Sequence, residues 1–578
     1  MTDTETVDVL VIGSGAGALT SAVTCAKAGL KVLVTEKADK FGGTTATSGG
    51  VLWVPGSRHS QALGQKLGVA DDLADDGARV RSYLRHETGN CFDEARIEAY
   101  LTYAPRMVEF LEDQTEVKFY PMEFPDYHPE AEGGSTIRSI GTMDYDAGKM
   151  GDLMKTLKGE LPQTLFMGLA IGSTLEMKQF LAAGRSPKAM AYVIRRMARH
   201  FVDLAVKGSS QRIVRGRALI ARLAKTAHDM GVPFWLNAPA QRLIAENGRV
   251  VGAEIMRDGR RVTVRARHAV VLGAGGFPRD KARRAGNYQG HAAVMEPVTP
   301  APVTNVGDGI RMAEAVGAQF NANLLQPAAW LPTSKLSDAR DQNGVWPHLT
   351  DRNKPGFIMV LSDGKRFANE SAPYHDIVPA MLEAFQSRGT ERAYLIGDDR
   401  AIRRWGMGFV RPFPIPKGRY LKNGYLTRAD TPEELARKLN IDPAGLAATI
   451  RDFSLHARDG RDPEFGRGES IYDRYQGDEN HAPNPALGPL DKGPYYAVRI
   501  YPGEIGTYKG LKTDENSRVI GQGDQVIEGL YAAGNDQANV FGGSYPGAGA
   551  TIGPAVTFGW IAGRDIARRA GVAVPGGD

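Results

Sequence analysis

The sequence predicts an α/β fold in which a discontinuous, Rossmann-like nucleotide-binding domain carries an inserted α+β domain. The apolar run 7–12 leads directly into a glycine-rich turn and then into a helix predicted over 18–28. Glu36 ends the next apolar run, so strand, turn, helix and acidic residue follow in order. Near the C-terminus, the run 529–533 again ends in a glycine turn. Two such strand ends, far apart in sequence, predict a domain that the chain leaves and later rejoins.

The first glycine turn predicts a dinucleotide site. Gly13 permits the tight turn, Gly15 lets the backbone approach a pyrophosphate at a helix N-terminus, and Gly17 allows close helix–strand packing. Glu36 lies about twenty residues on, where a carboxylate binds ribose hydroxyls. The cofactor residues predicted in this unit are Gly13, Ser14, Gly15, Ala16, Gly17, Glu36 and Lys37.

Glycines and small hydroxylated residues follow this unit in segment 41–50 and supply donors for the phosphates and ring of a buried cofactor. The candidates there are Gly42, Gly43, Thr44, Thr45, Ser48, Gly49 and Gly50. With 529–535 and 545–550 near the C-terminus, the arrangement resembles the FAD-dependent family that contains fumarate reductase and the 3-ketosteroid dehydrogenases. Covalent members of that family bond the flavin through a His near the glycine segment. Residues 41–50 contain no His, so the FAD is predicted to be non-covalent.

The resemblance also implies further cofactor contacts. Strand 269–272 ends in a glycine turn where the family closes its first FAD segment, and 305–310 opens a helix typical of the family. The residues implied are Gly273, Gly275, Gly276, Asp308, Gly534, Asn535, Gly549, Ala550 and Ile552.

Length and composition set the domain plan and the protein class. A chain of 578 residues is too long for one ordinary core. We therefore predict an FAD-binding domain in two parts, 1–295 and 486–578, around a substrate and catalytic domain at 296–485. Hydrophobic content of 42%, charged content of 24% and a net charge of +5 indicate a globular protein without a nucleic-acid module.

Cysteine usage and the N-terminus favour a cytoplasmic location. Cys25 and Cys91 are too few for a disulfide framework, and the sequence shows no metal-ligand spacing. Only six residues precede the first strand, which leaves no room for a signal peptide, and no apolar run reaches membrane-spanning length.

Several elements follow from local patterns. Segment 56–142 is predicted as mixed helix and loop, 218–230 as a helix and 233–236 as a strand. Alternating residues over 241–264, with turns at 247–248 and 258–259, predict antiparallel hairpins.

Segment 143–216 has two open interpretations. An apolar cluster at 165–171 precedes a basic run, and residues 190–206 carry an apolar stripe at helical spacing. The segment is either an amphipathic element lying peripherally on the inner face of the cell membrane or an ordinary surface helix packed on the protein. The basic residues are Arg185, Lys188, Arg195, Arg196, Arg199, Lys207, Arg212 and Arg215, and the stripe consists of Met190, Val193, Ile194, Met197, Phe201 and Leu204.

Motifs at 364–374, 502–507 and 544–553 resemble the 3-ketosteroid Δ1-dehydrogenase branch of the family. That resemblance implies that Tyr374 removes a proton beside the ring-A ketone, while a hydride passes to flavin N5. Tyr545 and the N–H of Gly549 would stabilise the enolate, as in an oxyanion hole. A phenol ionises near pH 10, so a partner must lower the pKa of Tyr374, and Tyr127 would donate a hydrogen bond to its phenolate. The implied partners are a steroid substrate and an external electron acceptor, a quinone or similar molecule.

Other activities stay open. A fumarate reductase is less favoured because segment 323–330 lacks the expected His-Pro-Thr, and Trp330 suits an apolar ligand. A Δ4-type ketosteroid dehydrogenase differs at the Tyr-Pro-Gly-Ala-Gly position, and another flavin-dependent ene-reductase or dehydrogenase of the superfamily is also compatible. An alternative from a different class of protein is a flavin-binding redox carrier or sensor that turns over no substrate.

Overall fold

A computed structural model describes residues 4–70, 77–184, 186–337 and 342–577 of the chain. Two large sheets organise these residues, with helices packed on both. The strands are β1 Thr4–Ile12, β2 Val32–Thr35, β3 Val51–Trp53, β4 Phe119–Pro121, β5 Ser139–Thr142, β6 Tyr145–Asp146, β7 Arg212–Ile213, β8 Phe234–Trp235, β9 Ala240–Glu246, β10 Arg249–Arg257, β11 Arg260–Leu272, β12 Phe320–Asn321, β13 Ala328–Lys335, β14 Val345–Pro347, β15 Phe357–Leu361, β16 Ala393–Asp398, β17 Thr427–Ala429, β18 Tyr495–Thr507, β19 Gly510–Leu511, β20 Arg518–Ile520 and β21 Val526–Ala532. The α-helices are α1 Ala16–Lys27, α2 Arg58–Leu67, α3 Ala78–Thr88, α4 Glu94–Gln114, α5 Leu153–Thr156, α6 Thr174–Ala182, α7 Pro187–Lys207, α8 Arg215–Asp229, α9 Lys281–Asn287, α10 His291–Val294, α11 Asp308–Glu314, α12 Tyr374–Arg388, α13 Asp399–Trp405, α14 Gly418–Lys422, α15 Pro432–Leu439, α16 Pro443–Arg458, α17 Ile471–Gln476 and α18 Ile552–Arg569.

The first sheet has a parallel centre. Its main path runs β20-β21-β10-β11-β1-β2-β8, with β9 paired to β10. Strand β1 pairs in parallel with both β11 and β2, and β11 pairs in parallel with β21. Val9, Leu10 and Val11 are all fully buried, because helices and core residues cover both faces of this strand. The predicted α/β, Rossmann-like class is therefore confirmed.

The second sheet is antiparallel, and all its strands except β18 lie within 296–485, the segment that we predict as the inserted domain. Its path runs β14-β13-β18-β16-β15, with β17 paired to β18. The long strand β18 begins at Tyr495, so this sheet extends past the domain boundary that we predict at 485. The division into 1–295, 296–485 and 486–578 otherwise stays a prediction.

Local predictions agree with the structure apart from one omission. The helices predicted at 18–28 and 218–230 correspond to α1 and α8, and the strand at 233–236 corresponds to β8. The hairpins β9–β10 and β10–β11 form with Asn247 and Asp258 in left-handed conformations, as their turn chemistry requires. In 56–142 the sequence analysis missed β4 and β5, which are short and form a sheet with β3 through non-local pairing, with β5 between β3 and β4.

Segment 143–216 leaves the rest of the chain and rejoins it at one place. Its two ends pair as β6 and β7, and α5, α6 and α7 lie between them. Among the described residues, we find no helix with both the length and the apolar character needed to span a bilayer.

The predicted basic run in this segment is only partly a free surface. Arg196 and Arg212 both bind the buried carboxylate of Glu176, at 2.8 Å and 2.9 Å. Arg215 lines the cavity described below, and Arg185 lies outside the described residues. Four of the basic side chains remain exposed, namely Lys188, Arg195, Arg199 and Lys207.

Candidate active site

A continuous cavity of about 1910 Å³ runs from the carboxyl ends of β1 and β2 to the inserted domain. Ligands of open α/β sheets bind at such strand ends. Residues from both domains line the wall, and α6 and the start of α7 cover one side. The cavity is therefore large enough for two ligands placed end to end.

The end of the cavity next to β1 fits a dinucleotide. A side chain on Gly15 would meet nothing within 4 Å, so this turn faces open space at the N-terminus of α1. The N-cap residue Gly15 offers no side-chain cap, and the Ala16 N–H donates to Thr45 Oγ1 at 3.3 Å, so a phosphate at this helix N-terminus would meet both backbone and hydroxyl groups. Glu36 lines the same end, where its carboxylate accepts hydrogen bonds from Ser14 Oγ at 2.5 Å and the Ala38 N–H at 2.8 Å. This chemistry matches the phosphate and ribose of FAD.

Most of the predicted cofactor residues lie in the wall of this cavity. Three of them do not, namely Gly42, Gly276 and Ala550, which pack behind the wall. Those in the wall are Gly13, Ser14, Gly15, Ala16, Gly17, Glu36, Lys37, Gly43, Thr44, Thr45, Ser48, Gly49, Gly50, Gly273, Gly275, Asp308, Gly534, Asn535, Gly549 and Ile552.

Asp536 is a polar residue of this region that the sequence analysis missed. Its buried carboxylate accepts the N–H groups of Ala274 and Gly276, at 2.6 Å and 3.0 Å. It thereby joins the glycine turn after β11 to the one after β21. Burial raises the pKa of Asp536 to about 6, although the two backbone hydrogen bonds oppose the shift. Its position directly after Asn535 was the only signal in the sequence.

The three predicted tyrosines meet in one cluster, although each comes from a different one of the three predicted parts of the chain. The rings of Tyr127 and Tyr545 stack at 5.1 Å between centroids, with an interplanar angle of 9°. The ring of Tyr374 meets both edge-on, at 5.4 Å and 5.2 Å. All three side chains are buried, yet all three line the cavity. Tyr374 is the first residue of α12, in segment 296–485, whereas the other two lie in loops of 1–295 and 486–578.

The pKa of Tyr374 differs from our expectation. Burial is the largest cause and raises the pKa well above 10, and contact with the hydroxyls of Tyr127 and Tyr545 raises it further. The lowering expected from Tyr127 is not seen, because the Tyr374 hydroxyl acts as a donor in this cluster of neutral phenols. Burial also raises the pKa values of Tyr127 and Tyr545.

Gly549 lies at the same end of the cavity and must be glycine. Its φ is +98°, and a Cβ atom would lie 2.5 Å from the backbone carbon of Leu52. The main chain of Gly549 therefore packs directly on the strand that carries Trp53. This contact fixes the turn between Tyr545 and α18.

Further aromatic groups around the cluster were missed. Tyr472 packs against Tyr127 with a centroid distance of 5.2 Å, and Tyr508 lies 6.3 Å from Tyr545. His375 packs against Tyr545, and its Nδ1 atom accepts a hydrogen bond from the backbone N–H of Trp330. Burial lowers the pKa of His375 to about 4, so this ring is neutral. Only the adjacency of His375 to Tyr374 hinted at its position.

The family profile described as an FAD binding domain matches residues 8–552. The chain belongs to this family of flavoproteins. A 4-oxocyclohex-2-ene-1-carboxylate 5-dehydrogenase of Sinomonas cyclohexanicum is 35% identical, over 97% of this chain and 94% of that protein. A 3-oxosteroid 1-dehydrogenase of Mycolicibacterium smegmatis is 36% identical, over 97% of each chain.

Structural comparison supports the same relationship. The crystal structure of 3-ketosteroid Δ1-dehydrogenase from Sterolibacterium denitrificans, in complex with 1,4-androstadiene-3,17-dione, superposes with a TM-score of 0.90 and 37% identity. The match covers 98% of this chain and 100% of that one. The predictions of FAD as cofactor and of an FAD-dependent oxidoreductase are therefore confirmed for this flavoprotein.

Proposed function

We propose that this flavoprotein is a 3-oxosteroid 1-dehydrogenase, which introduces a double bond between C1 and C2 of ring A. The observation that carries the proposal is the buried cluster of Tyr127, Tyr374 and Tyr545 at the end of the cofactor cavity. Relatives named for this reaction, similar along nearly the whole chain, support it.

The tyrosines have distinct roles in the proposed reaction. The Tyr545 hydroxyl and the N–H of Gly549 bind the ketone oxygen and stabilise the negative charge that develops there. Tyr374 then accepts the proton from C2. Binding of the ketone draws the Tyr545 hydroxyl away from the tyrosine cluster, and Tyr127 is then free to donate to the Tyr374 oxygen. This rearrangement lowers the pKa of Tyr374.

FAD, when bound, supplies the two-electron acceptor for the hydride that leaves C1. We propose that the predicted glycine, hydroxyl and Glu36 contacts hold it without a covalent bond. Acid precipitation of purified protein should then release all the yellow colour into the supernatant. Colour that stays in the pellet would contradict non-covalent binding. A colourless protein that cannot be reconstituted with FAD would contradict our assignment of the contacts.

The direct test of the reaction is anaerobic mixing with a panel of 3-ketosteroids that differ at C17. Loss of the visible flavin band, with a 1,4-diene product identified by mass and NMR spectroscopy, is the expected result. A product with a new double bond at C4 would instead indicate the Δ4-type reaction. Flavin that stays oxidised with every ketone would favour a carrier or sensor.

Dehydrogenation of a smaller cyclic ketone with a carboxylate is a second candidate function. The similarity to the Sinomonas enzymes, at 35% identity, favours it. Cationic side chains in the cavity wall are compatible with an anionic group, and they include Arg215, Lys354 and Arg403. The same panel should therefore contain 4-oxocyclohexanecarboxylate. The ketone with the larger second-order rate constant for flavin reduction identifies the substrate class.

Peripheral membrane contact through 143–216 also remains a proposal. Four apolar side chains of α7 are strongly exposed, with Val206 at 71%, Ile194 at 60%, Val202 at 58% and Phe201 at 47%. They lie on the same helix as the four exposed basic residues, and Met190 and Val193 of this helix line the cavity. A lipophilic substrate would pass from the bilayer interface into the cavity along this helix. We further propose that a quinone or similar lipophilic acceptor reoxidises the flavin.

A further inference from the structure

A charged hydrogen-bond chain lies beside the tyrosine cluster and joins both domains. The His128 ring is placed between two carboxylates, with Nδ1 at 2.7 Å from Glu87 Oε1 and Nε2 at 2.9 Å from Asp376 Oδ2. The other oxygen of Glu87 accepts a hydrogen bond from Ser544 Oγ at 2.9 Å. The chain therefore runs from Asp376 through His128 and Glu87 to Ser544.

Each of the three segments that carry a cluster tyrosine contributes to this chain. His128 directly follows Tyr127, Ser544 directly precedes Tyr545, and Asp376 lies two residues after Tyr374 in the first turn of α12. Only Glu87 lies away from the tyrosines in sequence, on α3.

Helix α3 holds the same loops at a second point. Tyr83 is four residues before Glu87 and therefore lies on the same face of α3. Its hydroxyl donates to the carbonyl of Pro546 at 2.6 Å and accepts a hydrogen bond from the backbone N–H of His128 at 3.3 Å. The Tyr127 N–H also donates to the Pro546 carbonyl. These bonds make α3 a rigid support for two of the three segments.

His128 must be an imidazolium to make both ring hydrogen bonds. An ionised carboxylate only accepts, so each ring nitrogen that faces one has to donate. Burial alone would lower the pKa of His128, but its hydrogen bonds to Asp376 and Glu87 and their charges raise the pKa to about 11. Other groups also face the two carboxylates, namely His86 and Tyr83 beside Glu87, and Tyr472 and His375 beside Asp376.

We propose that His128 is a positioning residue, which uses Glu87 and Asp376 to hold the three tyrosine segments in one arrangement across the domain junction. The inference rests on the proposed function, because the arrangement matters only if these tyrosines act on a ketone. Displacement of a reacting group by about 1 Å can reduce a rate by about 100-fold. Loss of the imidazolium also leaves two carboxylates facing each other without the cation between them.

The first test is His128→Gln in the FAD-loaded enzyme, with His86→Gln as the matched control. His86 lies next to Glu87 but is largely exposed, so its replacement should leave the rate unchanged. We expect His128→Gln to lower kcat by about 10- to 100-fold with little change in KM or FAD content. An unchanged kcat would overturn the proposal, and so would a loss of FAD that accounts for the whole effect.

The second test uses pH and separates positioning from general loss of structure. Asp376→Ala removes one of the two groups that raise the pKa of His128, so this pKa falls and the imidazolium is lost at lower pH than in the native enzyme. The rate of flavin reduction should then begin to decrease at a lower pH in Asp376→Ala than in the native enzyme, whose imidazolium persists to about pH 11. Asp376→Asn keeps an acceptor oxygen and should restore part of the rate. Native and Asp376→Ala profiles of the same shape would contradict the proposal.

The charge of His128 is measurable without turnover. Nitrogen NMR of enzyme labelled with ¹⁵N-histidine, assigned by comparison with His128→Gln, should show an imidazolium at about pH 8. A neutral ring at that pH would overturn the inference even in an active enzyme. If the native enzyme reduces no ketone but the ring is charged, the proposed function fails while the hydrogen-bond chain stands.

Discussion

The tyrosine cluster and helix α7 differ in the solvent exposure of their side chains. The rings of Tyr127, Tyr374 and Tyr545 are almost completely buried, although each carries a hydroxyl that needs a partner. On α7, by contrast, Ile194 and Phe201 have no polar atoms in their side chains, yet they are exposed at 60% and 47%. In both regions, the burial of these side chains is opposite to the usual preference of the residue type.

This difference shows where the fold departs from what stability alone would select. Buried phenols are poised for a ligand with a polar oxygen, because such a ligand satisfies their hydroxyls in a dry site. An exposed apolar face on a helix marks a surface that another apolar phase can cover. The first region is therefore expected to govern the chemical step, and the second the route by which a lipophilic substrate arrives.

Tyr374→Phe should have the largest effect. It removes the proposed base and leaves the ring packing intact, so flavin reduction should slow by about 100- to 10,000-fold at unchanged FAD content. Anaerobic stopped-flow mixing with a 3-ketosteroid measures the rate. Tyr103→Phe, a tyrosine packed on Trp560 away from the cluster, serves as the control. A near-native rate for Tyr374→Phe would mean that another group is the base.

Tyr545→Phe should follow, with a loss of about 100- to 1000-fold, typical for removal of one oxyanion donor. The stacked contact with Tyr127 survives the substitution, so the flavin should stay bound. Because Tyr545 acts on the ketone oxygen, the loss should be similar for all ketones in the panel. A higher KM with an unchanged kcat would indicate that Tyr545 only binds the substrate.

Gly549→Ala tests the backbone side of the same site. The new methyl group would lie 2.5 Å from the Leu52 backbone, so the turn must move and its N–H with it. We expect a decrease in kcat of about 10- to 100-fold. Gly571→Ala is a matched control, because its φ is +73° but nothing lies within 4 Å of the added Cβ. If both substitutions changed stability and rate equally, the positive φ alone would explain the result, and the contact with Leu52 would not matter.

The α7 prediction concerns binding rather than chemistry. Ile194→Asp combined with Phe201→Asp should lower sedimentation with anionic liposomes by about tenfold or more, because each buried apolar side chain is worth roughly 1.5–3 kcal/mol. Leu455→Asp is the control, since Leu455 is 59% exposed on α16. Native protein that stays in the supernatant at low salt would remove the membrane proposal altogether.

Salt separates the two contributions on α7. Attraction of the exposed Lys188, Arg195, Arg199 and Lys207 to anionic lipid is screened, at roughly 1 kcal/mol for each charge near the surface. The part due to apolar insertion should persist at high salt. Deletion of the whole segment is a poorer test, because residues of α6 and α7 also line the cavity.

The sequence revealed those parts of the molecule that depend on local constraints. Glycine turns after buried strands were recognisable because their backbone geometry restricts the residue type, so the fold class and FAD were predictable. Glu87 was not, because a carboxylate in an amphipathic helix has no local mark of its contact with His128. Glu176 likewise lies before the basic run in sequence, and only the fold brings Arg196 and Arg212 onto it.

Tyr127→Phe should have the smallest effect within the cluster. Phenylalanine keeps the stacked contact with Tyr545, at 5.1 Å between the rings, and loses only the hydroxyl that faces Tyr374. Because that hydroxyl tunes the base and does not touch the ketone, we expect a loss of about 3- to 10-fold, within the strength of one neutral hydrogen bond. The alkaline shift of the pH–rate profile should be the clearer sign, since a phenolate that loses a donor has a higher pKa. Tyr472→Phe, in a second ring that packs against Tyr127, is the matched control and should leave the profile in place. A loss as large as that of Tyr374→Phe would instead make Tyr127 the proton acceptor.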